Sequence, residues 1–291
     1  MKRRLSSLIL MTCWLWAGTG LASQTAPGGQ PAAPGYLNLP DFLNPKERLP
    51  LPSLQGLNRL RFITTVDFPP FNMLDDRGQL SGYNIDLARA LCRQLGIADI
   101  CQIEAAPWSE LESRLGAGEA DAIIGGLRPT SQNRQSLIFT RSYMRLPARF
   151  VTLKAAAFTQ PAAAATRGKT VGVVAGTAHE QMLKAYFPQA DAKPYPDRAA
   201  MLAALKDGKI AAAFDDGMTL SFWLNSGASG NCCTFTDGPY LAPQYLGDGL
   251  AIAVTQQNAA IAAALDNAFQ ALQQQGVLTE LYLRYFPTGF Y

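Results

Sequence analysis

The stretch that decides the fold is Asp121 to Tyr143: Asp121-Ala122-Ile123-Ile124-Gly125-Gly126-Leu127-Arg128-Pro129-Thr130-Ser131-Gln132-Asn133-Arg134, then Gln135-Ser136-Leu137-Ile138-Phe139-Thr140-Arg141-Ser142-Tyr143. Ala122–Ile124 is a short apolar run closed by two glycines, the pattern of a buried strand that ends in open backbone. Thr130 is placed to cap a short helical turn, and Arg134, four residues on, lies beside that turn. A strand end with free N–H groups and a nearby guanidinium suits a carboxylate, because Arg offers a planar fork of donors. On this stretch alone, a surface arginine in an ordinary strand-to-helix connection is the simpler reading.

Working outward, strand and helix signals alternate. Leu60–Thr65 reads as a strand, followed by the turn-rich Asp67-Phe68-Pro69-Pro70-Phe71. Asn84–Leu95 carries Leu87, Leu91 and Leu95 on one stripe and stops at Gly96. Ser109 and Glu112 suggest a capping box for a helix through Leu115. The pattern then repeats: strands at 150–153, 170–175, 210–214 and 249–254, and helices opened by Thr177 and by Asp197. Two helices close the chain, one before Gly276 and one from Leu278 to Tyr285. Such alternation predicts parallel sheets with helices on both faces, in two serial α/β units. Ligands of such sheets bind at the carboxyl ends of the strands. No G-x-G-x-x-G or Walker sequence occurs, so no phosphate loop is predicted.

The chain has 291 residues, 48% hydrophobic and 16% charged, enough for two modest domains with real cores. Lys2, Arg3 and Arg4 precede the apolar run Leu5–Ala17, and Gly20-Leu21-Ala22 has the small-x-small form of a cleavage site. Residues 1–22 are therefore expected to be a secretory signal peptide, and the protein periplasmic. Its removal takes three basic residues and leaves 22 of each sign, which argues against nucleic acid or an anionic membrane as partner. Residues 23–58 are rich in Pro, Gly, Ala and Gln and read as an extended tether.

Cys13 goes with the signal. Four cysteines remain, and an even number in an oxidising compartment favours disulfides over metal ligands. Cys92–Cys101 is the favoured pair. It would close a short loop and contribute about 2–3 kcal/mol. Cys232 and Cys233 could form a vicinal ring or stay reduced. His179 is the sole histidine, with no Cys near it in sequence, so neither a metal nor another cofactor is expected. A surface or capping role is expected for His179.

These pieces, in order, resemble the bacterial extracellular solute-binding proteins of family 3, which serve ABC importers of polar amino acids. The resemblance spans about 60–286 and rests on Thr65–Phe71, Gly82–Ala88, Pro107-Trp108, Gly118–Ile124, Thr130–Arg134, Phe139–Tyr143, Gly172–Thr177 and Gly208–Asp216. It implies a two-lobe, type II periplasmic binding protein-like fold, with two α/β lobes joined by two crossing strands. The expected division is 59–150 plus 253–291 in lobe 1 and 151–252 in lobe 2.

By the same resemblance, Arg134 pairs with a ligand α-carboxylate and Asp216 receives its ammonium. Phe68 covers the ligand, and Gly126 and Arg128 lie on a segment whose backbone meets the carboxylate. Thr177 and Ala178 form the second lobe's anion-binding turn, and Cys92 and Cys101 match a disulfide of some members. Trp108 fits a pocket wall and a core position equally well. This chain departs from the pattern with Gly125 and Gly126 in place of small hydroxyl residues. Pro129 also removes an N–H, and the spacing to Arg134 is one residue longer than in basic amino-acid binders.

The implied function is capture of a small amino acid or related carboxylate by a non-enzymatic, monomeric receptor for a membrane ABC permease. A closed cleft must pair both charges of a zwitterion, and release to a permease calls for a Kd near micromolar, about −8 kcal/mol. Two alternatives stand beside it. One is a periplasmic dehydratase-like enzyme with Glu180 as the candidate acid; the other is an accessory or sensory binding protein.

Overall fold

The computed structural model describes residues 47–286 and 288–291. The expected signal peptide and most of the expected tether lie outside the described residues. The first lobe opens with β1 (Leu60–Thr64), a small hairpin of β2 (Met73–Leu74) and β3 (Leu80–Ser81), and α1 (Tyr83–Gln94). It continues through β4 (Cys101–Ala105), α2 (Leu111–Gly116), β5 (Ala122–Ile123) and β6 (Leu137–Phe139).

The second lobe runs β7 (Ala148–Leu153), α3 (Ala162–Ala165), β8 (Thr170–Val174), α4 (Ala178–Tyr186), β9 (Asp191–Tyr195) and α5 (Arg198–Lys206). After these come β10 (Ala212–Asp216), α6 (Gly217–Asn225), β11 (Cys233–Tyr240) and α7 (Pro243–Leu246). The chain then returns to the first lobe with β12 (Ala253–Thr255), α8 (Ala259–Gln274) and α9 (Val277–Tyr285).

Each lobe has a five-stranded sheet, ordered β4-β1-β5-β12-β6 in the first and β11-β7-β10-β8-β9 in the second. The sheets are mixed, not parallel as the alternation suggested. β12 runs antiparallel to β5 and β6, and β7 runs antiparallel to β10 and β11. These antiparallel strands flank the two crossings between lobes, where the chain arrives from the other sheet without a crossover helix. The crossings run side by side: the Leu250 N–H donates to Met144 O at 2.7 Å, and the Tyr143 N–H to Leu250 O at 3.0 Å.

The opening stretch sits at the centre of the first sheet because β5 lies between β1 and β12. Asp121 receives both the Arg61 N–H (2.8 Å) and its guanidinium (3.2 Å), which fixes the entry to β5. Thr64 Oγ1 donates to Ile124 O at 2.7 Å and fixes the exit. Leu87 and Leu91 of α1 are fully buried against this sheet with Phe62, Leu265 and Phe269. Each such side chain contributes about 1.5–3 kcal/mol relative to exposure. The second lobe is centred on Phe150 and Phe214, whose rings lie 4.6 Å apart.

Local details differ from expectation at several points. α2 starts at Leu111 after a 3-10 turn over Trp108–Glu110, and its N-cap is Glu110 with no side-chain bond, so Ser109 and Glu112 form no capping box. The Pro-rich segment, where it is described, lies against the first lobe. Glu47 pairs with Arg141, and the Glu47 and Leu49 carbonyls accept from Gln270 and Asn267 of α8. Cys92 and Cys101 form a disulfide between α1 and β4, and Cys232 and Cys233 are bonded to each other.

Candidate functional site

On the first lobe, three of the expected ligand residues share one cavity of about 250 Å³. Phe68, Trp108 and Gly126 line it with Thr65, Asp67 and Gly125. Trp108 is 51% exposed, so it is a wall and not core. A second cavity of about 310 Å³ adjoins the same Thr65, Asp67 and Trp108. Gly126 has φ of +90°, and a Cβ there would meet the Phe68 ring at 2.7 Å. Glycine at 126 thus lets the Phe68 ring approach the backbone that follows β5. Thr65 Oγ1 accepts from Asn72 Nδ2 at 3.0 Å, in a buried network in which Asn84 Nδ2 donates to Asn72 Oδ1.

The turn after β5 is stapled reciprocally. The Thr130 N–H donates to Asn133 Oδ1 at 2.7 Å, and the Asn133 N–H to Thr130 Oγ1 at 3.2 Å. The expected cap at Thr130 is present, with Asn133 as a partner that the sequence did not single out. Arg134 leaves this turn 53% exposed, with its guanidinium 3.6 Å from Asp248 and near the Phe139 ring. Arg128 donates to Leu246 O of α7, in the other lobe, at 3.4 Å. Both arginines therefore reach the 246–248 segment that leads back from the second lobe. Neither lines the Phe68–Trp108 cavity.

On the second lobe the parts gather at the ends of β8 and β10. Thr177 caps α4: its Oγ1 accepts the Glu180 N–H and donates to Val174 O. Its hydroxyl is thereby engaged, and the first-turn N–H groups of Ala178 and His179 are what this turn offers to an anion. Glu180 accepts from the Gly176 N–H at 2.7 Å and from Lys184 at 2.6 Å. Its bond to Lys184, then that to Gly176, holds the carboxyl below the usual carboxylate range. This is an ionised cap, not a carboxylic acid poised to donate a proton.

Asp216 ends β10 and caps α6, accepting the Thr219 N–H (2.8 Å) and hydroxyl (2.7 Å) on Oδ1. Its neighbour is the residue that sequence reasoning underrated. Asp215 is 1% exposed. It binds Arg198 through two oxygens (2.5 and 3.2 Å), accepts the Asp216 N–H at 2.8 Å, and lies 3.5 Å from His179 Nδ1.

His179 is therefore neither surface nor cap. Burial pushes its pKa down, against the pull of Asp215 and Asp216, while Arg198 and Arg128 push the same way as burial. A histidine two positions past an N-cap and an acid at a strand end were the available signals. Their pairing with Arg198, 17 residues upstream of Asp215, had none.

Residues 60–288 match the bacterial extracellular solute-binding proteins, family 3, and the chain belongs to this family. Over 231 residues it is 28% identical to the ABC transporter arginine-binding protein 1 of Escherichia coli K12, covering 79% of this chain and 91% of that protein. Its fold is similar to that of the L-cystine solute receptor of Neisseria gonorrhoeae in the unliganded open conformation (TM-score 0.67, 18% identity, 79% and 92% coverage). It is similar also to an ancestral cyclohexadienyl dehydratase (TM-score 0.64, 20% identity, 79% and 93% coverage). The likeness to these two structures is one of fold. Among the described residues, no helix is long and apolar enough to cross a membrane, and no group of three or more His, Cys, Asp or Glu is placed to hold a metal ion.

Proposed function

We propose that this protein captures a small amino acid, or a close carboxylate analogue, between its lobes in the periplasm and delivers it as a monomer to a membrane ABC permease. The observation that supports this reading is the placement of basic and acidic side chains on the two lobes. Arg128 and Arg134 stand on the first lobe, and Asp216, braced by the buried Asp215–Arg198 pair, on the second. The Arg134–Asp248 contact joins two groups that are each more than half exposed. Such a pair is worth about 0–1 kcal/mol, so a ligand carboxylate can displace Asp248 at little cost.

Asp216 uses Oδ1 for the helix cap, and Oδ2 accepts no hydrogen bond among the described residues, which leaves it for the ligand ammonium. Phe68 and Trp108 would then flank the ligand side chain. Ligand contacts made to both lobes at once stabilise the closed arrangement, since only differential contacts shift such an equilibrium.

The arginine-binding name of the Escherichia coli relative makes L-arginine the first candidate to test. Thermal unfolding of the mature protein with each of the twenty amino acids provides the test. A ligand at one hundred times its Kd adds about 2.7 kcal/mol, a clear rise in Tm. No rise with any amino acid would remove the reading.

A further inference from the structure

Beyond the two crossing strands, a third element joins the lobes: the last residues of the chain. Phe290 is fully buried in the first-lobe core, where its ring packs 5.2 Å from Tyr282 and 5.1 Å from Phe286, and its N–H donates to Tyr282 Oη at 2.9 Å. Residues 288–291 reach two points on the second lobe and one in the first crossing. Arg149 of β7 donates to Phe290 O at 3.1 Å, Ser221 of α6 donates to Thr288 O, and Tyr291 exchanges hydrogen bonds with the backbone of Arg145 in the first crossing.

The sequence is built to permit this. Arg149 is 8% exposed and reaches the tail through a gap kept open by two glycines. A Cβ on Gly217 would lie 2.8 Å from Arg149 Cγ, and one on Gly238 2.9 Å from its Cδ. Its guanidinium also donates to Asp237 O at 3.0 Å and stacks 4.4 Å over Phe235. Around it, Met218 and Phe222 of α6 and Phe235 of β11 pack on the first-lobe core, with Phe222 6.1 Å from Phe286. α6 is thus held to the first lobe along its body, while its N-cap is Asp216.

We propose that residues 288–291 form an interlobe latch, which holds α6 and β7 to the first lobe and sets the resting angle between the lobes. Rotation about the two crossings must slide α6 against Phe286 and Phe290, or break the bonds of Ser221 and Arg149 to the tail. The latch acts without ligand, so it stands or falls independently of what the cleft binds.

The test reads the interlobe distance in the ligand-free full chain. Spin labels are placed on the exposed Arg77→Cys in the first lobe and Lys169→Cys in the second, with the native cysteines left in their disulfides. With the tail intact, one narrow distance distribution is expected. In the chain shortened to end at Pro287, the distribution should broaden and its mean should shift. The Ser221→Ala/Tyr291→Phe variant keeps Phe290 in the core and should broaden it to a lesser degree, with circular dichroism unchanged. Should the shortened chain fail to fold, the double variant decides alone. A folded double variant with the wild-type distribution would overturn the latch.

Discussion

The sharpest consequence of the second-lobe cluster concerns Arg198→Met. Asp215 is buried, and Arg198 supplies two of its contacts. Removing one partner of a buried pair costs about 3–5 kcal/mol, because an uncompensated charge is left behind. Arg198 is itself 41% exposed, and water can enter the space it leaves, so we expect about 2–3 kcal/mol at pH 8.

The loss should shrink as the pH falls. Arg198 is one of the groups that hold the His179 pKa down, and without it Asp215 draws a proton onto His179. In the variant, the folded-state pKa of His179 therefore rises. Relative to wild type, this added stability is present in full below the depressed wild-type folded value and is lost as pH climbs through the variant's higher one. Urea unfolding of wild type, Arg198→Met and Arg198→Met/Asp215→Asn at pH 8 and pH 5.5 measures this. The double variant should recover most of the loss at pH 8, since it buries no unpaired charge. An Arg198→Met variant that costs under about 0.5 kcal/mol at pH 8, or whose cost does not depend on pH, would refute the reasoning.

Two other perturbations test separate parts of the account. Gly126→Ala combines a positive φ with a clash on the Phe68 ring and should destabilise by about 2–4 kcal/mol in urea unfolding, whereas Gly116→Ala, in open space, should not. Asp266 of α8 is pushed up to about 6, first by burial, despite the Arg141 N–H it accepts. Its raised folded pKa means that stability is highest below about pH 4 and falls as the pH rises through 6. Asp266→Asn should therefore stabilise by about 1–2 kcal/mol at pH 7.5 and by little at pH 4.5. Destabilisation of equal size at both values would contradict it.

Much of the fold was legible because it is written in local signals. The glycine-closed apolar run at Ala122–Ile124, the Leu87–Leu91 stripe and the caps at Thr177 and Asp197 all sit where their chemistry places them. The mixed sheets were not legible. Strand direction depends on how β7 and β12 enter from the other lobe, and the alternation of helix and strand signals does not record that.

The site was legible by halves. Phe68, Trp108 and Gly126 do meet in one cavity, and Asp216 does end its strand. What escaped was the support. The Asp215–Arg198–His179 cluster and the Arg149 channel join residues far apart in sequence, each of which looks like ordinary surface or core alone.

The central claim, a zwitterion held between Arg134 on one lobe and Asp216 on the other, is tested most directly by titration calorimetry. The measurement compares wild type and Asp216→Asn, each with the amino acid that most raises Tm and with its α-deaminated analogue. The account predicts micromolar binding of the amino acid to wild type and a loss of about two to four decades in Asp216→Asn. Binding of the deaminated analogue should be weak and the same for both proteins. If Asp216→Asn bound the amino acid as tightly as wild type, Asp216 would not receive the ammonium, and the claim would fail.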